Sequence, residues 1–115
     1  EVVLVTGCST GLGRALCLEL SKRPGTLVVA TARKLSSITE LQESGVAKLA
    51  LAVDVTSEAS LRSAAERAAE LGGGAIDAIV CNAGQSSFGP LALQPLAEIQ
   101  SVMDTNAMGV IRTVQ

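Results

Sequence analysis

A glycine-rich stretch near the start of the chain has the composition of an anion-binding turn. Thr6-Gly7-Cys8-Ser9-Thr10-Gly11-Leu12-Gly13 directly follows the apolar run Val2–Val5. Glycine lets the backbone turn tightly and lets a pyrophosphate approach without meeting a Cβ atom. A helix that begins at the end of such a turn offers free N–H groups and the positive end of its dipole. The stretch therefore predicts a phosphate-binding loop, with a ligand-free strand-to-helix turn as the alternative.

The strands and helices that position this turn can be predicted from changes in the spacing of apolar residues along the chain. Gly, Pro and capping residues separate the segments. The predicted strands are Val2–Thr6, Leu27–Thr31, Lys48–Val55 and Ile76–Cys81. The predicted helices are Gly11–Lys22 with an apolar face of Leu12, Ala15, Leu16 and Leu20, a short one over Ser37–Glu43, one from a Thr56 or Ser57 cap to Leu71, one from Pro95 to Asn106, and a further stretch over Ala107–Gln115.

This order predicts an α/β fold, a Rossmann-type doubly wound parallel sheet. The strands are nearly continuous apolar runs, as is typical of parallel strands covered on both faces. In the Rossmann order the first and fourth strands are neighbours, and ligands bind at the carboxyl ends where the chain reverses direction. The turns Gly7–Gly13 and Asn82–Gly84 fall at those two ends. Their coincidence there favours a dinucleotide site.

Length and composition limit the classes of protein. The 115 residues form one dinucleotide-binding segment, 1–115, which we expect to be the N-terminal portion of a longer chain, because four strands are few for such a sheet. A net charge of −2 and one aromatic residue, Phe88, argue against nucleic acid as a partner. No run reaches transmembrane length. The three cysteines lack metal-ligand spacing and predict reduced thiols, hence a cytoplasmic location.

Four motifs in order resemble those of the short-chain dehydrogenase/reductase family. They are the glycine-rich loop 6–13, Asp54-Val55 at the end of the third strand, Cys81-Asn82-Ala83-Gly84 after the fourth, and Asp104-Thr105-Asn106-Ala107-Met108-Gly109. The resemblance covers the whole chain, and Cys81 departs from the family's first Asn of the third motif. Within the family, Gly7-Cys8-Ser9 and Ala30-Thr31-Ala32-Arg33 resemble retinol, hydroxysteroid and acyldihydroxyacetone-phosphate reductases.

The resemblance implies a role for each matching residue. Gly7, Gly11, Leu12 and Gly13 would form the pyrophosphate cradle, with Ser9 and Thr10 adding hydroxyl or N–H groups. Asp54 would accept from the adenine amino group, with Val55 beside the ring, and Asn82, Ala83 and Gly84 would line the cofactor. Asn106 would hold a water linked to the catalytic Lys. Turn or helix capping is the alternative for Ser9, Thr10, Asp54 and Asn106, and for Asn82 it is a link between strands.

The end of the second strand predicts NADP rather than NAD. An NAD-binding fold carries an acid there for the ribose 2′-hydroxyl, whereas an Arg suits the 2′-phosphate of NADP. No acid lies between Leu27 and Thr39, and Arg33 and Lys34 occupy the position. A guanidinium binds phosphate through paired hydrogen bonds. A simple surface charge is the alternative for Arg33.

The chain has no Tyr, so the family's catalytic Tyr-x-x-x-Lys is not among these residues. We expect an NADP-dependent oxidoreductase that interconverts a carbonyl and an alcohol on a small molecule, represented here by its cofactor half, and a homo-oligomer when complete. The alternative is a non-catalytic nucleotide-binding or redox-sensing module. A methyltransferase is disfavoured because no ribose-binding acid follows the second strand.

Overall fold

The computed structural model describes residues 1–115 and contains one parallel sheet of four strands flanked by helices. The strands are β1 (Val2–Val5), β2 (Leu27–Ala32), β3 (Leu49–Ala52) and β4 (Ala78–Val80). The helices are α1 (Gly11–Leu20), α2 (Thr39–Glu43), α3 (Glu58–Leu71), α4 (Leu96–Met103) and α5 (Gly109–Val114). None of them combines the length and apolarity that crossing a membrane requires.

The strand order is β3-β2-β1-β4, with every pair parallel. This order confirms the predicted α/β Rossmann-type sheet, in which β1 and β4 are neighbours. Val5 pairs with Ala30 of β2 on one side and with Val80 of β4 on the other. The glycine-rich turn after β1 therefore lies directly beside the turn after β4, as predicted.

Each face of the sheet has its own apolar layer, because side chains alternate along a strand. Val3 and Val5 of β1 face the layer that contains Cys17 of α1 and Leu41 of α2. Val2 and Leu4 face the opposite layer, which includes Ala64 and Ala68 of α3. The crossover helices thus cover both faces of β1 and β2, which explains why these strands are unbroken apolar runs, whereas Ile79 of β4 is 39% exposed.

The predicted apolar face of α1 was right for Leu16 and Leu20, which pack on the core, and wrong for Leu12 and Ala15. Gly13, Cys17 and Leu20 are the buried residues of this helix, whereas Leu12 is 83% exposed and Ala15 is also exposed. The cause is the close approach of Gly13 to the carboxyl ends of β1 and β4, which sets the rotation of the helix. Hydrophobic periodicity locates the buried face of a helix from its large apolar residues. It cannot predict the rotation of α1, because this helix contacts the strands through a glycine.

The C-terminal helical region is continuous, and the predicted division between Asn106 and Ala107 was wrong. A π-helical turn over Asp104–Met108 joins α4 to α5. Arg112 of α5 binds across this turn, donating from Nη2 to the Asp104 carboxylate at 2.6 Å and from Nη1 to the Asp104 carbonyl at 3.3 Å. A π-turn is rare and often lies at a functional site. Its position places Asn106 inside the turn rather than at a helix cap.

Candidate functional site

A polar crevice of about 390 Å³ lies at the carboxyl ends of the strands. It is the place where the fold predicts a ligand, next to the junction of β1 and β4. Its lining combines the glycine-rich turn, the end of β2, the turn after β3, the turn after β4 and one side of the α4 region. The lining residues are Thr6, Gly7, Ser9, Thr10, Thr31, Ala32, Arg33, Val53, Asp54, Val55, Thr56, Asn82, Ala83, Gly84, Gln85, Ser101 and Thr105.

Thr6 joins the two turns at the floor of the crevice. Its buried hydroxyl donates to the Val80 carbonyl at 3.3 Å and accepts from the backbone N–H groups of Asn82 and Ala83, each at 3.0 Å. The Asn82 side-chain amide also bonds to the first turn, donating from Nδ2 to the carbonyls of Thr6 at 2.9 Å and Gly7 at 3.0 Å. The Asn82 amide therefore links the strands. Sequence reasoning did not assign Thr6 a role, although it stands in the first motif.

Two glycines allow this close contact between the turns. A Cβ atom on Gly13 would lie 2.4 Å from Asn82 Nδ2 and 2.4 Å from the Gly7 carbonyl oxygen. A Cβ atom on Gly7, which has a φ of +74°, would lie 2.8 Å from the Ala83 Cα. Neither position tolerates a side chain without movement of backbone. Gly13 is consequently buried beneath the loop and does not line the crevice.

The start of α1 is open toward an anion. Thr10 is its N-cap residue, and no side chain caps the helix there. In contrast, the Ser57 hydroxyl caps α3 by accepting from the Ser60 N–H. The first N–H groups of any helix lack partners within it, so those of α1 remain for a ligand. Gly11 has a φ of +59° and open space where a Cβ would project.

Arg33 supplies the positive charge of the crevice. It directly follows β2, lines the crevice and is exposed, and it makes no salt bridge or side-chain hydrogen bond. Arg14 of α1, in contrast, is paired with Glu40 at 2.9 Å. Arg33 is therefore a cation without a hydrogen-bonded protein partner at the end of β2, where the sequence predicts the 2′-phosphate.

The Asp54 carboxylate is held in place by Thr56, two positions later in the turn after β3. Its Oδ1 accepts from the Thr56 N–H at 2.9 Å and from the Thr56 hydroxyl at 2.7 Å, while Oδ2 makes no hydrogen bond. The Thr56 hydroxyl, the Thr56 N–H and the charge of Arg33 together lower the pKa of the Asp54 carboxyl. The carboxylate is thus ionised and keeps one oxygen free. Ser57 rather than Asp54 caps α3, so the capping alternative for Asp54 was wrong.

Asn106 lies at the border of the crevice, although its side chain does not line it. Its amide bonds both polar atoms of the Gln85 backbone, and Gln85 Nε2 donates to the Ser101 hydroxyl at 2.7 Å. The π-turn therefore holds the loop that follows Gly84. Gln85, Ser101 and Thr105 line the crevice and were missed from the sequence, where no motif distinguishes them.

The structure brings nine of the predicted site residues into the lining of one crevice, namely Gly7, Ser9, Thr10, Arg33, Asp54, Val55, Asn82, Ala83 and Gly84. It leaves Gly11 and the exposed side chain of Leu12 on the first turn of α1, Gly13 beneath the loop and Asn106 at the border. Phe88 is 91% exposed and does not line the crevice. An uncapped helix start, a free Arg and a free carboxylate oxygen fit an elongated ligand with phosphate groups.

Comparison with known proteins gives a consistent result. The family profile described as short chain dehydrogenase matches residues 1–115. Human 17-beta-hydroxysteroid dehydrogenase type 1 is 37% identical over 123 residues, covering 99% of this chain and 37% of its own. The NADPH-dependent 1-acyldihydroxyacetone phosphate reductase of Schizosaccharomyces pombe is 36% identical over 113 residues, covering 97% of this chain and 37% of its own.

Solved structures agree with the sequence relatives. A short-chain type dehydrogenase/reductase from Mycobacterium marinum superposes with a TM-score of 0.91 at 33% identity, over 100% of this chain and 47% of that one. The chain spans between 35% and 48% of the length of its curated relatives.

Proposed function

The chain belongs to the short-chain dehydrogenase/reductase family, and on that premise we propose that it is the cofactor-binding half of an NADP(H)-dependent oxidoreductase. The complete protein would interconvert a carbonyl and an alcohol on a small-molecule substrate. The observation that carries this proposal is the crevice at the β1–β4 junction, where an uncapped helix start and the unpaired Arg33 face the same space. Residues 1–115 would form one dinucleotide-binding segment.

In this proposal the pyrophosphate is held at the start of α1. Gly7 and Gly11 shape the loop, Gly13 lets α1 approach the strands, and Ser9 and Thr10 offer hydroxyl or N–H groups from the crevice wall. The exposed Leu12 supplies an apolar edge beside the bound cofactor. Backbone N–H groups suit this role, because they stay fixed and their dipoles favour negative charge.

The adenosine end would lie between Arg33 and Asp54. Arg33 binds the 2′-phosphate, and the free Oδ2 of Asp54 accepts from the adenine amino group while Val55 borders the ring. No acidic side chain stands at the end of β2 to repel the phosphate. The NADPH dependence named for the Schizosaccharomyces pombe relative supports this preference.

Asn82, Ala83 and Gly84 would line the nicotinamide end of the same crevice. When bound, NADP(H) supplies or accepts the hydride that is exchanged with the substrate carbon. Among residues 1–115, only Asn106 is proposed to take part in catalysis, by holding a water linked to the catalytic Lys of the complete protein. Its Oδ1 accepts from Gln85 and has a second lone pair with which it can hold a water. We further propose that the complete protein is a homo-oligomer and that it is located in the cytoplasm, a proposal that its free thiols support.

Turnover by the full-length protein tests the proposal. The purified protein is mixed with NADPH or NADH and a panel of steroid, retinoid and simple ketones and aldehydes, and nicotinamide absorbance is followed. We expect reduction of at least one carbonyl, faster with NADPH. Binding of NADPH without any turnover across the panel would favour a non-catalytic nucleotide-binding or redox-sensing module instead. Failure to bind either nucleotide would contradict the assignment of the crevice.

A further inference from the structure

Two buried thiols touch directly beneath the glycine-rich loop. Cys17 Sγ of α1 lies 3.4 Å from Cys8 Sγ in the loop, and both residues are fully buried and free. Cys8 also donates from Sγ to the Val5 carbonyl at 3.1 Å, and its backbone N–H donates to the Thr31 carbonyl at 2.8 Å. The pair therefore connects the loop to both a strand and a helix. Neither sulfur has a part in the proposed oxidoreductase reaction.

We propose that Cys8 and Cys17 are a modification site at which a hydroperoxide forms a disulfide, and that this disulfide weakens binding of the cofactor. The formation of the disulfide is inferred from the contact of the two sulfurs. The weakening of cofactor binding rests on the proposed function, because it concerns the same glycine-rich loop. The oxidant is a hydroperoxide, ROOH, which is also the chemical class of molecule that reacts at this site.

The chemistry proceeds in two steps that balance. The Cys17 sulfur attacks the O–O bond of ROOH, giving Cys17–SOH and ROH. The Cys8 sulfur then attacks the sulfur of Cys17–SOH, forming the S–S bond and releasing the hydroxyl as water with the Cys8 proton. Overall the two thiols lose two electrons and two protons, and ROOH is reduced to ROH and water.

Cys17 is the better nucleophile of the pair. The contact with Cys8, aided by the charge of Arg14, lowers the pKa of the Cys17 thiol. The contact with Cys17, together with burial, raises the pKa of the Cys8 thiol. A thiolate is the reactive form of cysteine. Cys17 therefore reacts first, and Cys8 resolves the sulfenic acid.

The disulfide changes the loop because the loop has little room to move. An S–S bond is about 2.05 Å long, so the two sulfurs must approach by about 1.4 Å from their present contact. Cys8 then loses its bond to the Val5 carbonyl. Its neighbour Gly7 already stands against Ala83, where even a Cβ atom would lie 2.8 Å from the Cα. Part of the displacement therefore falls on the backbone that the proposed pyrophosphate needs.

Bound cofactor should in turn protect the thiols. Both sulfurs are buried, and a hydroperoxide reaches them only when the loop or the first turn of α1 opens. A ligand that holds this loop closed slows that opening. If the disulfide weakens cofactor binding by a given factor, the cofactor opposes the disulfide by the same factor, because the coupling is reciprocal.

Peptide mapping of the oxidised full-length protein tests the modification site. Trypsin cleaves after Arg14 and Lys22, so the bond would join the peptide that ends at Arg14 to peptide 15–22. After treatment with hydrogen peroxide we expect this linked pair, two hydrogen atoms lighter than the free peptides, and its loss on treatment with dithiothreitol. Saturating NADPH should slow its formation. Cys81→Ser should leave the linked pair unchanged, since Cys81 lies outside the contact. Sulfinic acid at Cys17 without a linked pair would overturn the proposal.

A titration of NADPH separates the two halves of the proposal. We expect the oxidised protein to bind NADPH about fivefold or more weakly than the reduced protein, with recovery after dithiothreitol. Cys17→Ala should bind NADPH as the reduced protein does and show no response to peroxide. Equal affinity in both states of a fully linked protein would overturn the coupling. If the reduced protein binds no NADPH, the proposed function fails, while the linked peptides still decide the modification site.

Discussion

The side-chain amide of Asn106 bonds both polar atoms of the Gln85 main chain, accepting from the N–H at 2.8 Å and donating to the carbonyl at 2.7 Å. This pairing fixes the loop after β4 to the π-turn between α4 and α5. The π-turn is held in its own right by Arg112. The border of the crevice is therefore fixed by contacts that no local sequence pattern predicts.

Asn106→Asp should loosen this border. The new carboxylate keeps the acceptor but faces the Gln85 carbonyl with a negative charge instead of a donor. A neutral hydrogen bond contributes about 0.5–1.5 kcal/mol, and Asn106 is exposed, so we expect a loss near 1 kcal/mol in the unfolding free energy of the full-length protein, and a lower kcat. Ser87→Ala, which removes another exposed hydrogen bond of the same loop, is the control. Wild-type stability and kcat in Asn106→Asp would refute the contact's importance.

Arg33→Ala should separate the two nicotinamide cofactors. Charge-assisted hydrogen bonds contribute roughly 1.5–3 kcal/mol, so NADPH affinity should fall about tenfold or more and NADH affinity should hardly change. Calorimetric titration of the full-length protein with both cofactors measures this. Lys34→Ala, which removes the adjacent charge outside the crevice lining, should have little effect. Equal losses for both cofactors would exclude the 2′-phosphate assignment.

Gly13→Val should abolish cofactor binding through steric conflict. Its Cβ atom would lie 2.4 Å from both Asn82 Nδ2 and the Gly7 carbonyl oxygen, so α1 must move away from the strands. Overpacking of this kind typically destabilises by about 1–3 kcal/mol. Ala15→Val adds comparable bulk on the exposed side of α1 and should leave binding nearly intact. Melting temperature and NADPH affinity are measured together, and retained affinity in Gly13→Val would contradict the packing argument.

Thr6→Val should disconnect the two turns while preserving shape. The substitution removes the acceptor of the Asn82 and Ala83 N–H groups, and an unsatisfied buried group costs about 1–3 kcal/mol. Thr6→Ser retains the hydroxyl and should lose far less stability. Denaturant unfolding of both variants provides the comparison. If Val and Ser behave alike, the hydroxyl is not what joins the turns.

Thr56→Val should raise the pKa of the Asp54 carboxyl, whose lowering comes first from the Thr56 hydroxyl and then from the Thr56 N–H. Because the folded-state pKa is below the unfolded value, this contribution to stability is present above about pH 4 and disappears as the pH falls through the folded-state pKa. Asp54 is exposed, so solvent screening keeps the contribution small. Carboxyl-carbon NMR titration of wild type and variant measures the shift, and identical pKa values would disprove the stated cause.

The sequence predicts the architecture better than it predicts the contacts. Strand order and the meeting of Gly7 with Asn82 follow from crossover rules and from turn residues, which act locally. The rotation of α1 does not, because the contact that sets it lies between Gly13 and residues far along the chain. The π-turn at Asn106 likewise depends on Arg112, and helical periodicity contains no sign of it. The role of Thr6 requires knowing that β4 pairs beside β1.

The hydroxyl of Thr6 bonds to N–H groups 76 and 77 positions later in the chain. The glycine-rich loop is synthesised before the turn that follows β4, yet it cannot acquire its final shape until that turn has been made. At about 5–20 residues per second, roughly 4–15 s separate the synthesis of Thr6 from that of Asn82. During that interval the emerging chain has an incomplete nucleotide crevice, and Cys8 lacks the enclosure that later shields it. Assembly of the site is thus a non-local event in folding, because its defining motif must wait for a turn that is translated about 76 residues later.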